Sequence, residues 1–136
     1  MRFDTKLAIV VADDIAVWQK LNVTAFLSSG IAYAHPDLKG ETYRDADGTG
    51  YLALFRQPVL VLSGPRAALT RARARAADRG LPLAIYTEGM FTTGHDAANR
   101  AVVAALATDA LDLVGLATWG ERKAVDKALD GLKLHA

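Results

Sequence analysis

Hydrophobic positions along the chain fall into short β-rich runs separated by stretches of helical period. Lys6-Leu7-Ala8-Ile9-Val10-Val11, closed by Asp13-Asp14, predicts a buried strand. From Ile15 to about Ala34 there is no proline and a single glycine, Gly30. Val17, Leu21, Ala25 and Ser28 make one apolar or small stripe there, with Val23, Phe26, Leu27 and Ile31 beside it. Such broad coverage predicts a helix buried on more than one side. Tyr43 to Phe55 holds Asp45-Ala46-Asp47-Gly48-Thr49-Gly50 between two β-prone ends, the pattern of a hairpin or loop.

Pro58-Val59-Leu60-Val61-Leu62 reads as a second strand, with proline at its tolerated first position. Ser63-Gly64-Pro65 opens a helix that runs to Asp78 and stops at Gly80. Leu83 to Tyr86 is a third strand, Thr87 to Gly94 a loop, and His95 to about Leu106 a helix. Leu111 to Ala117 is a fourth strand, followed by a helix from Glu121 to Asp130 and a stop at Gly131. This alternation is an α/β order, with helices expected on both faces of one sheet. Ligands of such sheets gather at strand carboxyl ends. Those ends are Asp13-Asp14, Ser63-Gly64, Thr87-Glu88-Gly89 and Thr118-Trp119-Gly120.

Composition narrows the function classes. The 136 residues make one domain, 1–136, and 51% hydrophobic with 23% charged residues is a globular rather than a disordered balance. Cysteine is absent, which excludes disulfides, thiolate nucleophiles, cysteine-ligated zinc and iron–sulfur clusters. Sixteen basic against fifteen acidic residues leave a net charge of +1, so no global field steers the chain to nucleic acid. The N-terminal apolar run, Leu7 to Ala12, is too short for a membrane span or a signal core. A cytoplasmic protein that contacts no membrane is therefore expected. No cofactor and no metal are expected either, because His35, His95 and His135 stand singly. Asp45-Ala46-Asp47-Gly48 is similar to the start of a calcium loop, but Arg56 stands where the closing Glu belongs, so it is read as turn chemistry. Ser63-Gly64-Pro65 lacks the second glycine and the Lys-Ser/Thr pair of a phosphate loop.

Three segments carry candidate chemistry. Lys20, Thr24 and Ser28 line a narrow polar stripe on the first helix. Lys20 there either fixes an anion, stabilises an oxyanion, or snorkels to solvent. The segment Thr87-Glu88-Gly89-Met90-Phe91-Thr92-Thr93-Gly94-His95-Asp96 gathers two carboxylates, three hydroxyls and an imidazole. Glu88 or His95 suits a base for water, while Thr92 or Thr93 suits an N-cap for the next helix, with His95 itself a surface or cap residue in the plainer reading. Arg66, Arg71, Arg73, Arg75 and Arg79 share one helix, with Arg71 and Arg75 expected to project outwards together. They would either hold a nucleic-acid backbone or form a solvated face. No aromatic residue interleaves them, which does not favour base stacking. Trp18 and Trp119 are expected to be core or cleft walls.

Three phrases carry a family resemblance: Trp18-Gln19-Lys20-Leu21-Asn22-Val23-Thr24-Ala25-Phe26, Thr93-Gly94-His95-Asp96-Ala97-Ala98-Asn99-Arg100, and Ala124-Val125-Asp126-Lys127-Ala128-Leu129. On these the whole chain resembles a bacterial family of domains of unknown function with the fold of type II peptidyl-tRNA hydrolases. That resemblance implies a three-layer α/β/α sandwich around a small mixed, mostly parallel sheet. Lys20 matches the lysine of the hydrolases' first helix. Gly80-Leu81-Pro82, then Glu88 and Thr92 four apart, match their Gly-Leu-Pro, Asp and Thr; the C-terminal segment from Leu113 to Leu134 is also similar. The departures are Gln19 and Thr24 where the hydrolases carry glycine and glutamine, and Glu88 for their Asp. The resemblance thus implies ester hydrolysis, as of peptidyl-tRNA, with Lys20, Glu88 and Thr92 catalytic. Thr24, Thr93, His95, Arg71 and Arg75 would bind substrate, tRNA would be a partner, and a homodimer is expected. The alternative expectation is a non-catalytic domain that binds a small molecule, or mediates oligomerisation, through the same cleft.

Overall fold

The computed structural model describes residues 2–136. In chain order the elements are β1 (Thr5–Ala12), α1 (Val17–Ala34), β2 (Tyr43–Arg44), β3 (Gly50–Tyr51), β4 (Val59–Gly64) and α2 (Arg66–Asp78). They continue with β5 (Leu83–Thr87), α3 (Asp96–Ala104), β6 (Leu113–Glu121), α4 (Arg122–Ala128) and β7 (Lys133–Leu134). Five strands form one sheet in the order β5-β6-β1-β4-β7, and β2 pairs with β3 as a separate hairpin. Every residue from Leu7 to Ala12 is buried, because β1 lies centrally in a sheet covered on both faces.

The two covering layers are readable along β6, where successive side chains alternate faces. A Cβ at Gly115 would lie 2.3 Å from Val23 Cγ1 of α1, whereas one at Gly120 would meet Leu81 and Val125 on the opposite face. α1 therefore covers one face, burying Val23, Leu27 and Ile31. Each of these contributes roughly 1.5–3 kcal/mol of apolar burial. α2 and α4 pack together on the other face through Leu69, Ala72, Ala76, Val125 and Ala128. The layers are α/β/α, as expected.

Two expectations need correction. The sheet is mixed but not mostly parallel: only β1 and β4 pair in parallel, and the other three pairings are antiparallel. β6 enters between β5 and β1 running against both, so its Thr118-Trp119-Gly120 end lies opposite the ends of β1, β4 and β5. Nor is α1 buried on more than one side. Val17 and Leu21 are 72% and 67% exposed, since α1 rests on the sheet by the Val23-Leu27-Ile31 stripe alone. Beyond the stop at Gly131, β7, which the hydrophobic pattern does not predict, adds to the free edge of β4. The candidate phosphate junction at Gly64 has a packing reason: a Cβ there would come within 2.5 Å of Leu132 Cδ2.

Candidate functional site: an aromatic cleft at the edge strand

β5 is an edge strand, and its far end leads into a 3-10 turn, Glu88–Thr92, and then into α3. α3 buries none of its residues; it leans on that turn instead of on the sheet. Held off the core in this way, α3 faces α1 across a cleft of about 820 Å³, floored by Ala84, Ile85 and Tyr86. That volume lies within the range of small-molecule sites.

Aromatic rings line the cleft in series. Phe26 lies 5.7 Å from Tyr86, Tyr86 5.1 Å from Phe91, and Phe91 6.0 Å from Trp18, centroid to centroid. All three contacts are tilted or edge-on, the geometry that ring quadrupoles favour. Trp18 and Phe26 nevertheless remain 61% and 51% exposed. Trp18, Asn22 and Phe26 are spaced four apart and so share one helical face. That spacing was the signal in the sequence for this wall, and the reading by residue type passed over Asn22 and Phe26.

The polar groups converge at the start of α3. His95 is its N-cap: Nδ1 accepts the Ala98 N–H at 3.2 Å. Capping therefore falls to the imidazole, not to Thr92 or Thr93. Their hydroxyls donate to the Gly89 and Met90 carbonyls at 3.1 and 3.0 Å, within the preceding turn. Thr93 also reaches the Asn99 side-chain oxygen, and Arg100 pairs with Asp96 one turn away. Burial pushes the Tyr86 phenol pKa up, against a smaller opposing effect from an Asn22 side-chain bond. Thr93, His95, Asn99 and Arg100 all line the cleft.

Other sequence candidates have partners elsewhere. Arg66 binds three carboxylates, with Nε 3.1 Å from Asp14, Nη1 2.9 Å from Asp112 and Nη2 3.0 Å from Glu88. The Glu88 contact is off the line of a good hydrogen bond and so is an ion pair. Burial works against the Arg66 charge, but the hydrogen bonds to Asp14 and Asp112 and their charges outweigh it and raise its pKa. Three strand termini expected at one end of the sheet do meet here. Lys20 instead donates to His135 Nε2 at 3.1 Å, while the Thr24 hydroxyl bonds the Lys20 carbonyl and Ser28 that of Thr24. Lys20, Glu88 and Thr92 thus each have a different nearest polar partner. Arg71 is exposed as expected, but Arg75 donates to the Asp130 carbonyl at 3.0 Å, tying α2 to the end of α4. Both lie on the layer opposite the cleft.

A second hollow of about 590 Å³ lies between α1 and the segment around β2 and β3. Its Ser28, Ser29 and Gln57 side chains already bond to Thr24, Phe26 and Thr5. At the hairpin, Asp45 accepts the Asp47 and Thr49 N–H groups and the Tyr51 hydroxyl. That is turn chemistry, as read from the sequence. Among the described residues no cluster of three metal-ligating side chains occurs, and no helix is long and apolar enough to cross a membrane.

An α/β/α sandwich with an open aromatic cleft at its edge strand is the class that fold and site define. The chain belongs to the family described as Protein of unknown function (DUF2000), whose model matches residues 5–136. It is also similar to the solved structure of Atu0240, a protein of unknown function from Agrobacterium tumefaciens strain C58. The two share 47% identity and a TM-score of 0.97 over 99% of this chain and 100% of that one. No curated protein matches.

Proposed function

We propose that this protein binds a small amphipathic molecule in the cleft between α1 and α3. The observation that carries this reading is a roughly 820 Å³ space walled by four aromatic rings, with a group of polar side chains at the start of α3. Apolar walls with a few convergent polar groups are the usual construction of a ligand site. Two of the three phrases that carry the family resemblance, Trp18 to Phe26 and Thr93 to Arg100, supply its opposite walls. α3, with no residue in the core, contributes little to the core yet bounds the space.

Ester hydrolysis by Lys20, Glu88 and Thr92 has less support, because the carboxylate is ion-paired to Arg66 and the hydroxyl closes its own turn. Binding is therefore the preferred reading. The test is titration with phenylnaphthylamine, an uncharged aromatic fluorophore excited by energy transfer from tryptophan. Transfer is expected in the wild type, and Trp18→Phe should remove most of it while Trp119 remains. Val103→Glu, which puts a charge on the α3 wall, should weaken binding at least tenfold. Transfer undiminished in both variants would sink the reading.

A further inference from the structure

The chemistry of the occupant follows from which atoms at the polar end are already engaged. His95 Nδ1 accepts the Ala98 N–H, and an amide N–H can only donate. The neutral imidazole must then carry its proton on Nε2, which makes the second nitrogen a donor. The Tyr86 phenol is bonded to the Asn22 side chain, so it adds no free donor. The Asn99 side-chain oxygen is in contact with the Thr93 hydroxyl, and the Asp96 carboxylate is occupied by Arg100. The carboxylate at this end is thus paired within the protein, and the His95 Nε2–H is the donor left over.

Position adds to this count. His95 stands at the start of a nine-residue helix, where first-turn N–H groups lack intrahelical acceptors and the helix dipole favours negative charge. Asp96 is the acid at this start, and its pairing with Arg100 offsets its charge. The opposite requirement holds along the rings of Trp18, Phe26 and Phe91, whose faces offer no bonding partner to a polar group.

Resting on the binding reading above, we infer that the ligand is an aromatic or branched apolar molecule ending in an oxyanion or carbonyl. The anionic or carbonyl oxygen accepts from His95 Nε2–H, and the body lies along Phe26, Phe91 and Trp18. A ligand headed by an amine or guanidinium is disfavoured, since it would bring donors against donors.

A matched pair of probes separates this inference from the reading beneath it. Anilinonaphthalene sulfonate and phenylnaphthylamine share one aromatic body and differ by the sulfonate. Both should draw energy transfer from Trp18, with the sulfonate binding about tenfold tighter, as a charge-assisted hydrogen bond implies. His95→Ser keeps a capping oxygen for α3 but is too short to reach the cleft, so the two affinities should converge while circular dichroism is unchanged. Equal affinities in the wild type would overturn the oxyanion head and leave the cleft reading standing. A sulfonate preference that survives in His95→Ser would remove His95 as its receptor. Transfer to neither probe would overturn both.

Discussion

Two polar clusters in this molecule differ in what they leave over. At the carboxyl ends of β1, β4 and β5, Arg66 meets Asp14, Glu88 and Asp112, and its donors are matched by carboxylates. At the start of α3, the imidazole of His95 is half engaged, and the residue lines a cleft with largely apolar walls. The first cluster looks richer in catalytic residue types, yet its bonds tie strand ends, helix and loop together. An unmatched donor, not the number of charged residues, sets the second apart. Burial sharpens the contrast: Arg66 is mostly covered, whereas Trp18 and Phe26 stay exposed beside an open volume.

The comparison breaks most strongly through the sheet beneath α1. Gly115→Val would put methyl groups where even a Cβ comes within 2.3 Å of Val23 and 3.0 Å of Leu27, lifting the inner wall of the cleft. Overpacking of this kind costs about 3 kcal/mol, read by chemical denaturation. Probe affinity should fall with it, while the Arg66 cluster on the other layer is untouched.

Arg66→Met probes the first cluster alone. Three carboxylates would be left facing one another, a loss of about 1.5 kcal/mol, low for charge-assisted bonds because each carboxylate is half-exposed. Repulsion between half-exposed charges is screened by salt, so the deficit should shrink as ionic strength rises. Probe affinity in the cleft should stay within twofold. A deficit that does not change with salt would show that Arg66 acts by packing.

Next comes the cap. His95→Ala should destabilise α3 by about 1 kcal/mol, seen as faster amide exchange from Asp96 to Ala104, whereas His95→Ser should restore protection. The smallest effect belongs to the hairpin. The Tyr51 hydroxyl and the Thr49 N–H hold the Asp45 carboxyl below its ordinary value, and the same bond raises the Tyr51 phenol. A depressed carboxyl stabilises above its unfolded pKa, and that support is lost as pH falls through the folded value. The Gly48 and Thr49 amide resonances should shift in acid before the core signals move.

Much of this architecture is legible residue by residue. The run from Lys6 to Val11, the stops at Gly80 and Gly131, and the turn at Asp45 are local signals, and each element lies close to where its pattern put it. Gly80 and Gly131 adopt positive φ, which a short-range pattern can announce. Legibility fails where two distant segments decide. β6 reads as another strand of an alternating series, and nothing inside Leu113 to Ala117 tells that it enters antiparallel between β5 and β1. The site follows the same division: Thr93 and His95 stand out by type, while Tyr86 and Phe91 read as ordinary strand and loop residues.

By itself the sequence determined most of the elements and the glycine stops and turns between them. These depend on neighbours within a few positions, and backbone geometry there is set by local sterics and hydrogen bonds. Tertiary structure alone decided strand direction, the three-carboxylate embrace of Arg66, and the separation of Lys20, Glu88 and Thr92 among different partners. It also decided that α3 stands off the core and leaves a cleft. Which polar atoms remain unmatched is a property of the packed whole, because a donor is free only when no other part of the chain has reached it.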